Sequence, residues 1–191
     1  MSQAPKSLYL KGRRLRLFGG PNGSGKSTIF KLVDKNFDIG YYVNADEIEK
    51  QLLSTGYLDL GHFGIEHNKP ESFTTFLSQH PLKDKARSVG YNINLVLENG
   101  LIHANEISSL SYEAALLADF IRKELIKKGA KLTFESVMSH YSKIETLASA
   151  NQRGYKTYLY FICTSSPEIN IDRVNLRVKT GGHHVEKSRV V

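Results

Sequence analysis

Apolar positions along this chain fall into short dense runs separated by stretches where they recur every three or four residues. Leu15-Arg16-Leu17-Phe18 is such a run and predicts a strand. A glycine-rich loop follows, and Lys26 to about Val33 predicts a helix. Tyr41-Tyr42-Val43 predicts a second short strand. Asn44, with Glu47 three residues on, has the form of a capping box and opens a helix to about Leu53. The clearest helix runs from Ser111 to Lys128. Ala114, Leu117, Phe120, Ile121 and Leu125 share one face, and Arg122, Lys123, Glu124, Lys127 and Lys128 line the other. Ser111 is placed to cap it and Gly129 to end it.

Lys131 to Phe134 predicts a strand ending at Glu135. Tyr141 to Gln152 predicts a helix closed by Gly154. Lys156 to Cys163, rich in aromatic and β-branched residues, is a strong strand. Ser166 with Pro167 opens a helix to about Val178, and Gly181-Gly182-His183-His184 leads into a short basic tail. Strands alternate with helices, which predicts an α/β fold with a mainly parallel sheet covered on both faces. Four strands stand out, and a further helix and edge strand are expected beyond Val191.

Between Ser54 and Leu110 the rhythm breaks at Gly56, Gly61, Gly64, Pro70, Pro81, Gly90 and Gly100. Short helices are expected at Glu71–Gln79 and Ile93–Asn99. Residues 1–191 thus read as one domain with a helical insert over 54–110 and a lid or tail over 179–191. The insert is either a set of surface helices or a substrate cap.

Composition narrows the classes. The chain has 191 residues, 40% of them hydrophobic, enough for a real core. Its formal charge of +7 favours anionic partners without choosing among them. The one cysteine, Cys163, extends an apolar run and reads as inert core. No signal peptide and no run of transmembrane length is evident, so a cytoplasmic location with no membrane partner is expected.

The chemistry begins at Gly20-Pro21-Asn22-Gly23-Ser24-Gly25-Lys26-Ser27, the pattern G-x-x-x-x-G-K-[ST]. Its glycines let the backbone curl until several N–H groups converge on phosphate oxygens. Lys26 supplies a cation to the outer phosphates and Ser27 a hydroxyl ligand for magnesium. The following helix directs its positive end at the same place. ATP with Mg2+ is the expected cofactor pair. Thr28 suits helix packing or a nucleotide contact.

A P-loop motor would end its best apolar strand in Asp, but here that strand ends in Thr164-Ser165. The acids at strand ends are Asp46 and Glu135, a distribution that suits a small kinase. Asp46 is either a base or metal group, or an acid complementing a helix dipole. Glu135 is placed to bind an acceptor or magnesium's water shell if its strand neighbours that of the phosphate loop. Ser136 and Ser139 serve either substrate or the cap of the next helix. Arg173 and Arg177 share a helix face, and Arg189 follows the Gly181-Gly182 turn. Together they form either a lid that neutralises transferring phosphate or a solvated basic face. His183 and His184 point opposite ways on an extended segment and suit a loop or substrate contact better than a metal.

These pieces resemble the zeta-toxin family of P-loop kinases and bacterial relatives labelled predicted ABC-type ATPases. The matching segments are Gly19 to Thr28, Asn44-Ala45-Asp46-Glu47-Ile48, Phe134-Glu135-Ser136-Val137-Met138-Ser139, and Arg173…Arg177…Gly181-Gly182-His183-His184-Val185. The resemblance implies a kinase-like P-loop three-layer fold. It implies Lys26 and Ser27 on ATP–magnesium, Asp46 as base for an acceptor hydroxyl, and Glu135 in acceptor binding, with Ser136 and Asn44 beside it. It also implies lid arginines at Arg177 and Arg189. Zeta toxins phosphorylate UDP-N-acetylglucosamine and are neutralised by an antitoxin. The family's Glu-Thr is Glu135-Ser136 here, which keeps the hydroxyl, and the family's proline after Val185 is absent.

The expectation is an ATP-dependent kinase acting on a hydroxyl of a small metabolite, such as a nucleotide sugar. Two alternatives stand beside it. One is a nucleic-acid kinase or RNA-binding ATPase, suggested by Lys11-Gly12-Arg13-Arg14-x-Arg16; the lack of an aromatic platform interleaved with those residues counts against nucleic acid. The other is an ATP-binding toxin–antitoxin partner acting by protein association.

Overall fold

A computed structural model describes residues 12–66, 70–104 and 110–179. In chain order the elements are β1 (Arg14–Gly19), α1 (Lys26–Asn36), β2 (Tyr41–Val43), α2 (Ala45–Thr55), β3 (Tyr57–Asp59) and a 3-10 turn (Leu60–Phe63). Then come α3 (Pro70–Gln79), α4 (Pro81–Ser88), β4 (Leu95–Glu98), β5 (Leu101–Ala104), α5 (Ser111–Lys128), β6 (Leu132–Ser136), α6 (Ser142–Gln152), β7 (Lys156–Phe161) and α7 (Pro167–Lys179). The chain divides into two compact units. One holds the residues up to Tyr42 and from Ala130 onward; the other is Val43–Gly129. No helix among the described residues is long and apolar enough to cross a membrane.

The first unit is built on a four-stranded sheet in the order β2-β6-β1-β7. β1 runs parallel to β6, with Leu15 opposite Leu132 and Gly19 opposite Ser136. It also runs parallel to β7, from Arg14 opposite Lys156 to Gly19 opposite Phe161. A central parallel strand is covered on both faces, which is why β1 reads as a nearly continuous apolar run. Leu15, Leu17 and Phe18 are fully buried, with Leu132, Phe134 and Tyr155. The Phe18 ring stacks on Tyr160 at 4.7 Å and meets Phe30 of α1 edge-on at 5.7 Å. Arg16 is buried in this strand. It keeps its charge satisfied by donating from Nη1 to the Asp38 carbonyl at 3.1 Å and by lying over the Tyr158 ring.

The second unit pairs a three-stranded antiparallel sheet, β3-β5-β4, with helices of which α2 and α5 pack on each other. Here the structure corrects the helix expected at Ile93–Asn99, because that stretch is β4 and its turn. Leu95 and Leu97 are buried while Val96 and Glu98 are exposed, a period of two. Asn99 and Gly100 both take positive φ, 51° and 81°, the form of a two-residue hairpin turn. An Asn-Gly pair between apolar runs is a hairpin signal that glycine counting alone passes over.

Three further expectations change. Ser111 is the first helical residue of α5, preceded by Leu110 with no side-chain cap. Arg122, expected on the solvent face of α5, is buried beside Asp119. Cys163, expected as core, is exposed, because β7 stops two residues earlier at Phe161.

Candidate active site

In the first unit the carboxyl ends of the parallel strands β1, β6 and β7 lie side by side, so whatever follows them is brought together. After β1 comes the loop Gly20 to Gly25. Gly20, Gly23 and Gly25 take φ values of 142°, 81° and 98°, which L side chains rarely adopt. At Gly20 a Cβ would lie 2.0 Å from the Ile162 carbonyl oxygen, and at Gly23 one would lie 2.5 Å from the Asn170 carbonyl oxygen. These two glycines let the loop pass close against the segment after β7 and the start of α7. α1 begins at Lys26 with no acid in its first turn and no side-chain cap at Gly25, leaving its positive end open to an anion.

Lys26 is buried and donates from Nζ to the carbonyls of Gly20 and Pro21, both at 2.9 Å. The ammonium is thereby held over the mouth of the loop. Ser24 is buried, and its Oγ has no hydrogen-bond partner among the described residues. Ser27 and Thr28 are exposed on the first turn of α1. Ser27 Oγ donates to Glu135 Oε2 at 3.3 Å, so the hydroxyl that would ligate magnesium and the acid ending β6 are joined. The left-handed glycines, the uncapped helix start, the buried ammonium and the orphan Ser24 hydroxyl fit a triphosphate with its metal.

Glu135 has a second partner that sequence reasoning missed. Tyr42 donates its phenol to Glu135 Oε1 at 2.8 Å, and its ring stacks on Phe30 at 4.0 Å. Nothing local marks Tyr42: it reads as an ordinary strand aromatic, and its partner lies 93 positions away. Ser136 turns inward on the chain, its Oγ accepting from the Met138 N–H at 3.1 Å.

Of the arginines expected on a lid, only the Arg173 side chain lies among the described residues. Arg173 of α7 donates from Nη1 to the Gly23 carbonyl at 3.2 Å, bringing it to the loop. The Arg177 side chain, Arg189 and Gly181 to His184 lie outside the described residues. Pro21, Cys163, Thr164, Ser166, Pro167 and Asn170 line a shallow cavity of about 180 Å³ beside the loop. In the second unit, Asn44 caps α2 by accepting from the Asp46 N–H at 2.9 Å, which occupies its Oδ1. Asp46 is exposed in the first turn of that helix.

No family model matches the chain. An uncharacterised protein of Haemophilus influenzae is 34% identical over 65 residues, covering 34% of this chain and 46% of that protein. Among solved structures, a chain of the Pnkp1/Rnl/Hen1 RNA repair complex superposes with a TM-score of 0.54 at 14% identity, covering 98% of this chain and 44% of that one. A protein of Chloroflexus aurantiacus designated a kinase gives 0.53 at 13% identity, covering 93% and 75%. The PezAT toxin–antitoxin system of Streptococcus pneumoniae gives 0.47 at 18% identity, too loose to argue from. The chain thus spans less than half of the H. influenzae relative and of the RNA repair chain. At these identities the likeness speaks to architecture alone, an α/β fold with a parallel sheet.

Proposed function

We propose that the chain is an ATP-dependent kinase that phosphorylates a hydroxyl of a small metabolite, with a nucleotide sugar such as UDP-N-acetylglucosamine as the first candidate. The observation that carries this reading is the Ser27–Glu135–Tyr42 linkage, which ties an acid on the strand beside β1 to the expected metal ligand of the loop. A Gly-rich loop alone would serve a switch or motor equally well. An acid at this position is what acceptor binding next to the transferring phosphate requires.

When bound, ATP would supply the phosphoryl group and magnesium would offset its charge. Lys26, held on the Gly20 and Pro21 carbonyls, would turn to phosphate oxygens. Ser27 would offer its hydroxyl to the metal, with Glu135 orienting it. By the resemblance, Asp46 would be the base that takes the acceptor hydroxyl's proton as that oxygen bonds to the transferred phosphorus. Arg173, with Arg177 and Arg189, meets the charge on the equatorial oxygens. The resemblance to zeta toxins supports the nucleotide-sugar acceptor and an antitoxin partner.

The test is an acceptor screen by mass spectrometry with ATP and magnesium, using nucleotide sugars, a metabolite extract and an RNA with a free 5′ hydroxyl. A phosphorylated sugar product is expected from the wild type. Lys26→Ala and Asp46→Ala should lose it by at least about a hundredfold. Transfer to RNA alone would replace the acceptor class, and no transfer to any acceptor would sink the kinase reading.

A further inference from the structure

The kinase reading leaves the basic run Arg13-Arg14-x-Arg16 without a task. In the first unit this run does not stand alone. Arg14 lies opposite Lys156 across the β1–β7 pair, and Arg16 opposite Tyr158. Arg13 donates from Nη1 to the Arg153 carbonyl at 3.0 Å, and its own carbonyl accepts from the Lys156 N–H at 3.0 Å. Four cations therefore meet at the amino ends of two strands. Arg14, Arg153 and Lys156 are exposed, and Arg13 is half-buried.

An aromatic ring, Tyr158, lies beside one of them and the buried Arg16. The Arg16 guanidinium carbon and Lys156 Nζ each lie 5.5 Å from the Tyr158 ring centroid. Among the described residues no carboxylate pairs with Arg13, Arg14, Arg153 or Lys156. Asp38 is bonded to Lys131, at the amino end of β6. The chain carries no acid before Asp34. Burial pushes the Tyr155 phenol up while the charges of Arg13 and Arg153 pull it back, so both guanidiniums act on one spot.

Like charges gathered without acids repel, and an anionic partner relieves that repulsion. We propose that this end of the sheet docks a single-stranded nucleic acid, its phosphates on Arg13, Arg14, Arg153 and Lys156. Three of the four are guanidiniums, whose fork matches phosphate oxygens in pairs. An aromatic ring beside these cations suits a strand carrying bases better than a lipid surface, where lysine charge would serve as well. The phosphate loop begins at the other end of β1, about 16 Å along the strand. The docking end and the loop are thus separate, and this proposal does not rest on the kinase reading.

Fluorescence anisotropy of the full chain with labelled single-stranded RNA and DNA, titrated at several salt concentrations, tests it. Affinity should fall with salt with a log–log slope of about −3, for four phosphates at roughly 0.7 each. Arg14→Gln/Arg153→Gln/Lys156→Gln keeps aliphatic bulk and should flatten that slope by about 2. Lys26→Ala should bind like the wild type. If the triple variant melts early by circular dichroism, Arg153→Gln alone should flatten the slope by about 0.7. An unchanged slope in the folded variants overturns the proposal. So does the absence of salt-dependent binding in the wild type, loss of binding in Lys26→Ala, or capture by phosphatidylserine vesicles without oligonucleotide binding.

Discussion

Glu135 is held by two hydroxyls, one from the loop helix and one from β2. Tyr42→Phe removes one donor and leaves the ring stack on Phe30 in place. A hydrogen bond to a charged group contributes about 1.5–3 kcal/mol, so Glu135 should lose its fixed orientation while the fold survives. The expected outcome is a higher magnesium requirement and a rate reduced roughly tenfold, read from phosphoryl transfer against magnesium concentration. An unchanged magnesium dependence would mean that Glu135 is oriented without Tyr42. Gly23→Ala acts on the backbone instead. The left-handed φ costs about 1–2 kcal/mol for a residue with a Cβ, and that Cβ would meet Asn170. Its urea midpoint should fall by at least that equivalent, together with loss of ATP binding by calorimetry.

At the scale of elements, the second unit carries a partly buried ionic cluster between α4 and α5, in which Arg122 is the buried member. Asp119 of α5 pairs with Arg122 at 3.0 Å, with Lys123 at 3.0 Å and with His80, the cap of α4, at 3.3 Å. His80 Nδ1 accepts from the Leu82 N–H, so Nε2 carries the proton that faces Asp119. Burial pushes the Asp119 carboxyl up, but the His80 hydrogen bond, the Arg122 charge and Lys123 outweigh it and hold it well below the usual range. A carboxyl depressed in the folded state stabilises above its unfolded value, about 3.9, and loses that contribution as pH falls through the folded value. Acid unfolding of the wild type below about pH 4 should therefore include this loss. Asp119→Asn should lack that part of the pH dependence and be less stable at neutral pH by about 3–5 kcal/mol, because Arg122 stays buried and charged. Urea melts from neutral to acid pH would show both. Equal stability of the two proteins at neutral pH would mean that the cluster is relaxed by solvent.

For the whole molecule, the loop's occupancy should be visible as stability. A ligand at about a hundred times its dissociation constant adds about 2.7 kcal/mol, which raises the melting point of a protein of this size by roughly 5–10 °C. ATP with magnesium should produce that shift in the wild type and none in Lys26→Ala. Equal shifts in the two proteins would place the nucleotide away from the loop.

Much of this was legible in the residues. The phosphate loop is a local device: its glycines, lysine and serine are contiguous, and their conformations follow from which side chains are absent. α1, α2, α5 and the strands β1, β2, β6 and β7 follow from period and punctuation, and α5, β1 and β6 bury the apolar face that the sequence marks. Asn99-Gly100 was also legible, as turn chemistry, and the helix expected there gave weight to the apolar residues while overlooking the pair that folds them back. Arg122 and Cys163 were not legible. Whether a charge can be buried depends on a partner three residues along having its own partner on α4, and whether a thiol is covered depends on where β7 stops. Tyr42 and Glu135, far apart along the chain, meet only because β2 and β6 are neighbours in the sheet. The same holds at the opposite end, where Arg13, Arg14, Arg153 and Lys156 converge because β1 and β7 pair in parallel. The sequence by itself determined what is contiguous: a glycine-rich loop, with its lysine and serine, between a strand and a helix. The tertiary structure alone decided which distant side chains share an end of the sheet, because strand order and register are settled by packing over the whole unit rather than by any local run.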